Sequence, residues 1–449
     1  MTVSAEELFN GLGQQYEESY VDNAGLEEVI DCALKELPPK SRVLDVGCGT
    51  GKPVAARVAR AGHEIHGIDI SQEMVNIASR QVIGRFEKAD MTTFQPSKQY
   101  DAIFTIFSMF QLSHSQTYSM MYKYSEWLKT GGLLVLGTIP STSLVDDEGL
   151  YDASGKVVRH ADLLFMGRRF LGTVYTKDGW RELFRAAGFI IQLERSFTFN
   201  AKPPYDKEIQ DHYLIIAKKV VDHALLGPYP FPTSYRGPHP LSEAAWAPFA
   251  ERLVRDEFDA VLEVIKGSKK VLDVGSGYGK EIPFRDRTFD AAVAMWILHY
   301  VDDLDKSLRE IARVVDPSRP GSRIVIVQGA PDNEVVNLLN DICAPLSAQN
   351  TAIDHQGYLL NAAATVFAEY GFNDVKVFRV NAYCAFPEED LTERCQKAAE
   401  VLAGFWFRDD PNFVQMKEAL IPHLKLHFRD RPHAINDEVA VLVAKPLPN

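Results

Sequence analysis

The sequence predicts an α/β chain in which a mostly parallel sheet, wound with helices and closed by an antiparallel hairpin, is followed by a second, degenerate copy. Three observations predict it. Val43-Leu44-Asp45-Val46 has strand character and runs straight into the alternating glycines Gly47, Gly49 and Gly51. Lys52 to Ala61 then reads as helix, and His63 to Asp69 as a second strand ending on a carboxylate. Most of the first stretch recurs at 271–279. A strand, glycine loop, helix, strand and acid form the unit with which an open α/β sheet binds an adenosine-type ligand. The glycines let the backbone turn sharply and approach that ligand with no Cβ in the way.

Glycine spacing selects the ligand. A dinucleotide fingerprint, G-x-G-x-x-G, would need glycine at 47, 49 and 52, but position 52 is lysine and the third glycine is Gly51. The pattern Asp45-x-Gly47-x-Gly49-x-Gly51 instead resembles motif I of the class I S-adenosylmethionine-dependent methyltransferases, a Rossmann-like fold. Asp69 falls where that family carries its second-strand acid.

The elements follow in order. Ser4 to Leu37 reads as two helices broken near Tyr20 to Asn23, with Phe9, Leu12, Tyr16 and Tyr20 on one face. Pro38-Pro39 ends them. Ser71 is a helix cap for Gln72 to Gln81, Gly84 to Lys88 a third strand, and Tyr100 to Ile106 a fourth. Thr117 to Leu128 reads as helix, Lys129 to Gly132 as a turn and Leu133 to Ile139 as a fifth strand. Tyr175 to Gly188 is the last helix, with Phe189 to Glu194 and His212 to Lys218 as the closing pair. Tyr100-Asp101-Ala102-Ile103-Phe104 and Leu128-Lys129-Thr130-Gly131-Gly132 resemble later motifs of the same family, with Thr130 where the family has proline.

Residues 1–220 therefore cover a whole domain of this kind. Residues 221–241, with Pro228, Pro230, Pro232, Pro238 and Pro240, read as a packed linker, since such a run forms neither helix nor central strand. Residues 242–449 form the degenerate copy. Val271 to Gly279 matches 43–51 at seven of nine positions, but Gly279 and Asp290 are 11 positions apart where Gly51 and Asp101 are 50 apart. The missing stretch would hold the second and third strands, so no counterpart of Asp69 or Asp90 exists. The second copy is expected to bind no cofactor and to leave Val271 to Val274 at a sheet edge, covered by another part of the chain or by a second subunit.

At 449 residues and net charge −13, with no basic run, the chain does not fit a nucleic-acid or anionic-membrane partner. No window approaches the roughly 18 apolar residues of a membrane span, and Met1 to Gly11 has no apolar leader segment. Cys32, Cys48, Cys343, Cys384 and Cys395 form no C-x-x-C pair, which fits reduced thiols in the cytoplasm and no metal site.

The resemblance implies S-adenosylmethionine as methyl donor, with S-adenosylhomocysteine as product. It implies that Gly47, Cys48 and Gly49 line the methionine part, with Asp45 supporting the loop. Asp69 would bind the ribose hydroxyls and Ile70 flank the adenine. Asp90 would accept from the adenine amino group, Met91 would lie against the ring, and Phe107 would pass near the sulfonium. Tyr16 and Tyr20 would belong to a helical lid over the acceptor, or simply pack on the sheet. His114, in the loop after the fourth strand, is a candidate base or a bystander. The insertion from Ser141 to Thr173 carries Arg159, Arg168 and Arg169, which either anchor an acidic acceptor or sit solvated on a ribbon. The two-copy layout is also similar to fungal didomain enzymes that esterify small carboxylic acids, which favours O-methylation. Two other readings stay open: a cyclase or lyase that binds the cofactor without methyl transfer, and a scaffold for another enzyme.

Overall fold

Caps and apolar runs become elements in the computed structural model, which describes residues 3–152, 154–202, 209–227, 242–275, 282–349 and 356–447. The chain divides into two units, Met1–Ala224 and Leu225–Asn449.

In the first unit, Ser4 and Glu7 close a capping box on α1 (Ala5–Leu12). Then come α2 (Gln14–Tyr20) and α3 (Ala24–Glu36), the latter capped by Asn23. Three helices stand where two are expected, because Gly13 sits at φ 50° and turns the chain between α1 and α2. Next are β1 (Arg42–Val46), α4 (Val54–Arg60), β2 (Glu64–Asp69), α5 (Gln72–Gln81), β3 (Arg85–Lys88) and β4 (Tyr100–Ile106). The chain continues through α6 (His114–Trp127), β5 (Leu128–Thr138), β6 (Val157–Phe165), β7 (Arg168–Tyr175), α7 (Lys177–Ala186), β8 (Phe189–Asn200) and β9 (Ile209–Lys219).

The main sheet runs β3-β2-β1-β4-β5-β9-β8. Its first five strands are parallel, and β9 is antiparallel to both β5 and β8. This is the expected Rossmann-like sheet with a closing hairpin. The order of the strands reverses between β1 and β4, and there the loops part to leave a crevice at the carboxyl edge. One sheet face packs on α3 and α4 through Val29, Ile30 and Val58; the other packs on α6 and α7 through Met121, Tyr124 and Phe184.

Two boundaries differ from expectation in ways that matter. Helix α6 starts at His114, three residues early, because Ser113 and Gln116 form a second capping box. The last helix starts at Lys177, capped by Thr176, while Tyr175 closes β7. The insertion is a separate two-stranded ribbon of β6 and β7, docked on the loop after β4 where Thr173 N–H donates to the Phe110 carbonyl at 2.9 Å.

The second unit contains α8 (Glu243–Ala250), β10 (Leu253–Arg255), α9 (Glu257–Ile265), β11 (Val271–Val274), β12 (Ala291–Met295), α10 (Leu304–Val314) and β13 (Arg323–Gly329). It ends with α11 (Glu334–Leu338), α12 (Gly357–Glu369), β14 (Asp374–Val380), β15 (Ala382–Ala385), α13 (Leu391–Phe407), α14 (Phe413–Asp430), β16 (Ala434–Asn436) and β17 (Val439–Lys445). Its sheet order, β11-β12-β13-β17-β14, repeats β1-β4-β5-β9-β8 without the two outer strands. Val271, on the edge strand, is 39% exposed. Phe405, Trp406 and Phe407 are buried in the α13–α14 core beside Phe249 and serve packing. The prolines from Pro228 to Pro240, and Ser276 to Gly279 of the second glycine loop, lie outside the described residues.

Candidate functional site

The site is built where β1 and β2 end. Gly47 N–H and Cys48 N–H both donate to the Ile68 carbonyl, at 2.8 and 3.0 Å, which folds the glycine loop back over β2. Gly49 N–H then reaches Asp69 Oδ2 at 2.9 Å, and Ser71 N–H reaches Oδ1 at 2.8 Å. Each carboxylate oxygen keeps a lone pair for a further donor. Gly47 and Gly49 stand at φ 70° and 52°, and a Cβ on Gly47 would lie 2.3 Å from Ser108 Cβ, so the loop and the β4 end touch only because residue 47 has no side chain.

Asp45 and Cys48 lie behind this loop. Burial and the charge of Asp69 push the Asp45 carboxyl up to about 8, and its Oδ2 has no hydrogen-bond partner. Burial also raises the Cys48 thiol well above its ordinary value, so it is an un-ionised packing group.

At the next strand end Asp90 accepts from Thr92 N–H and Thr92 Oγ1, both at 2.8 Å, and Met91 Sδ accepts from the Tyr124 hydroxyl at 3.7 Å. Phe107 follows β4 at φ 55°, its N–H held by the Gly137 carbonyl at 2.8 Å. Its ring lies 4.4 Å from the buried imidazole of His212. Asn23 Nδ2 bonds His212 Nδ1 at 3.2 Å, and Gln210 Oε1 lies 3.1 Å from Nε2. Burial pulls the imidazole down to about 4, so it stays neutral.

These groups surround a cavity of about 300 Å³. Gly47, Gly49, Asp69, Ile70, Asp90, Met91 and Phe107 line it, together with Tyr16 from α2. Tyr20 does not; it stacks on Tyr16 at 5.2 Å and its hydroxyl accepts from Gln210 Nε2 at 2.8 Å. His114 is in the first turn of α6 rather than in a loop, its ring stacked 5.8 Å from Tyr175 and outside the cavity lining. Arg168 and Arg169 are not in the lining either. The Arg168 guanidinium packs against α1 at Gly11, and Arg169 pairs with Asp162 at 2.8 Å on the exposed ribbon. Arg159 also stays off the cavity, in the β6 bulge.

Among the residues of the wall, sequence reasoning missed Phe9, Ser108, Gln111 and Gln116. Only Gln116 left a readable signal, the Ser113-x-x-Gln116 box that starts α6. Phe9 is placed by the packing of α1, and Ser108 and Gln111 by a loop path that carries no pattern.

Residues 43–132 match the family model described as a methyltransferase domain, and residues 254–325 match a second model of the same description. Two stretches that match methyltransferase-domain models thus stand in tandem, one in each unit. It is 32% identical over 125 residues to phosphoethanolamine N-methyltransferase of Plasmodium falciparum, covering 26% of this chain and 47% of that protein. To demethylmenaquinone methyltransferase of Tropheryma whipplei it is 30% identical over 145 residues, covering 30% of this chain and 59% of the relative. The chain thus spans about half the length of these relatives, and 25% of a phosphoethanolamine N-methyltransferase from Zea mays. Among solved structures it is similar to 1,6-didemethyltoxoflavin-N1-methyltransferase of Burkholderia thailandensis, at 16% identity and TM-score 0.36 over 49% of this chain and 93% of that one.

The two units share one unusual backbone feature. Trp296 follows β12 at φ 54°, with its N–H on the Val327 carbonyl at 3.0 Å, as Phe107 follows β4 in the first domain. A bulky residue in the left-handed region is uncommon, so its occurrence at both places marks them as equivalent. Between β11 and β12 of the second domain no strand stands among the described residues, and the places of Asp69 and Asp90 are missing with it.

The buried Asp45 leads to a pH prediction. Its folded pKa lies above the ordinary carboxyl value, so the native state holds the proton more tightly than the unfolded chain. Its contribution to stability is fully present below about pH 4 and is lost as pH rises toward 8. Asp45→Asn keeps the shape and removes the titration. The melting temperature of the variant should therefore gain on the parent between pH 5 and 8.5, and a constant difference across that range would refute this account.

Proposed function

We propose that the first domain transfers a methyl group from S-adenosylmethionine to a small molecule, and that the second domain binds no cofactor. The observation that carries this reading is Asp69: its carboxylate is fixed by two loop amides, faces a cavity of about 300 Å³, and keeps acceptor capacity for a ribose diol. Gly47 and Gly49 leave room for the methionine part. Ile70 and Met91 offer apolar faces for an adenine ring, and Asp90 an acceptor for its amino group. Phe107 and Tyr16 border the methyl end. Bound there, the cofactor supplies an electrophilic methyl on sulfur, and the protein contributes alignment and exclusion of water, which account for much of the acceleration in such displacements.

The residues expected to favour a carboxylate acceptor, Arg168 and Arg169, lie off the cavity, and His114 is no better placed as a base. The oxygen acceptor therefore has only the resemblance behind it. The names of the relatives, an N-methyltransferase acting on phosphoethanolamine among them, leave the acceptor atom open.

Calorimetric titration of the full chain with S-adenosylhomocysteine tests the reading. One site per chain is the expected result. Two sites would overturn the single-site assignment, and absence of binding would overturn the cofactor.

A further inference from the structure

The wall of the cavity excludes more acceptors than it admits. Among the described residues that line it there is no lysine, arginine or histidine. Its charged groups are the carboxylates of Asp69 and Asp90. The nearby cations are engaged elsewhere: Lys123 Nζ donates to the Thr92 carbonyl at 2.7 Å, and Lys88 pairs with Glu6 at 2.5 Å. Away from the cofactor end the wall includes Phe9, Phe107 and Leu112, with the neutral polar groups of Tyr16, Ser108, Gln111 and Gln116. An anionic acceptor entering here gives up its hydration and gains no counter-charge from any side chain of the wall, only the sulfonium of the cofactor, so part of its desolvation cost stays uncompensated.

A hydroxyl acceptor meets a second obstacle. It must lose a proton as it attacks, and a general base has to lie within hydrogen-bond reach of it. His212 is sequestered behind Phe107 with both ring nitrogens engaged, and His114 faces Tyr175. Asp69 and Asp90 are held at the cofactor end by backbone amides and by Thr92. A neutral amine needs neither counter-charge nor base, because its lone pair is already available.

We infer, resting on the methyl-transfer reading above, that the acceptor is a small amine with an apolar body, attacking as its free base. The nitrogen lone pair forms the new C–N bond while the C–S bond of the sulfonium breaks, leaving its electron pair on sulfur. The resulting N-methylammonium passes its proton to water. The carboxamide of Gln111, which lines the cavity, can accept from an amine N–H, and the aromatic walls favour a cationic product.

The test uses the full chain saturated with S-adenosylhomocysteine and two probes of one skeleton, phenethylamine and 3-phenylpropionate. Calorimetry should give the amine at least about tenfold tighter binding, and Gln111→Lys should narrow or reverse that ratio by about tenfold. With labelled S-adenosylmethionine, transfer to phenethylamine should rise from pH 7 to pH 9.5 as the free base accumulates. Equal binding of the two probes, including none of either, or faster transfer to the carboxylate, overturns the amine assignment while S-adenosylhomocysteine binding keeps the cofactor reading intact. No binding of S-adenosylhomocysteine overturns both.

Discussion

Asp69→Ala is expected to weaken S-adenosylhomocysteine binding by two orders of magnitude or more. On the proposed reading this carboxylate accepts from the ribose diol, and each hydrogen bond to a charged group contributes about 1.5–3 kcal/mol. The substitution also releases Gly49 N–H and Ser71 N–H, which Asp69 holds at 2.9 and 2.8 Å, so the glycine loop loses its anchor as well as its ligand contact. Asp69→Asn keeps one oxygen acceptor and should lose about tenfold. Calorimetry measures both affinities, and circular dichroism establishes that the variants are folded. A folded Asp69→Ala protein with parental affinity would remove the basis for placing the ribose here.

Gly47→Ala should be the most damaging single methyl group in the first domain. The residue stands at φ 70°, where an L side chain costs about 1–2 kcal/mol. Its Cβ would lie 2.3 Å from Ser108 Cβ, an overlap that must push the β4 end away, at a further 1–3 kcal/mol or so. Because Ser108 and Phe107 line the cavity, the displacement reaches the methyl end and should abolish measurable S-adenosylhomocysteine binding. Gly62→Ala separates the two contributions. Gly62 is at φ 83°, and a Cβ added there would meet nothing within 4 Å, so this variant should lose about 1 kcal/mol of stability and no affinity. Equal behaviour of the two variants in thermal melts and titrations would show that the close approach at Ser108 carries no weight.

The sheet is legible in the sequence because its strands are short apolar runs punctuated by glycines, caps and acids, and these signals are local. The truncation of the second domain is legible too, since an interval between two motifs can be counted without knowing the fold. What local signals do not supply is direction. Arg168 and Arg169 sit in a segment that reaches the carboxyl edge, yet alternation along β7 sends them to opposite faces, Arg168 against α1 and Arg169 to Asp162 on the exposed ribbon, and neither lines the cavity. His114 reads as a loop residue unless the capping box that starts α6 at Ser113 is recognised. Phe9, Ser108 and Gln111 enter the wall through helix packing and a loop path, and those depend on residues far away in the chain. Gly13 shows the same limit on a smaller scale: a single left-handed glycine divides one apparent helix into two and brings Tyr16 over Gly49.

The position of β9 has a consequence for how the domain is made. It lies between β5 and β8 although it is the last of the three to be synthesised, and its His212 backs Phe107 and bonds Asn23, 189 residues earlier. A nascent chain emerging from the ribosome can pair β1 to β5, but β5 then presents an open edge, and α3 and Phe107 lack their common support. Such delayed long-range pairing is slow and leaves apolar edges exposed. The candidate site is therefore expected to gain its support only when β9 docks, and translation arrested before β9 would release a chain that holds every glycine of the loop but lacks the strand that backs Phe107.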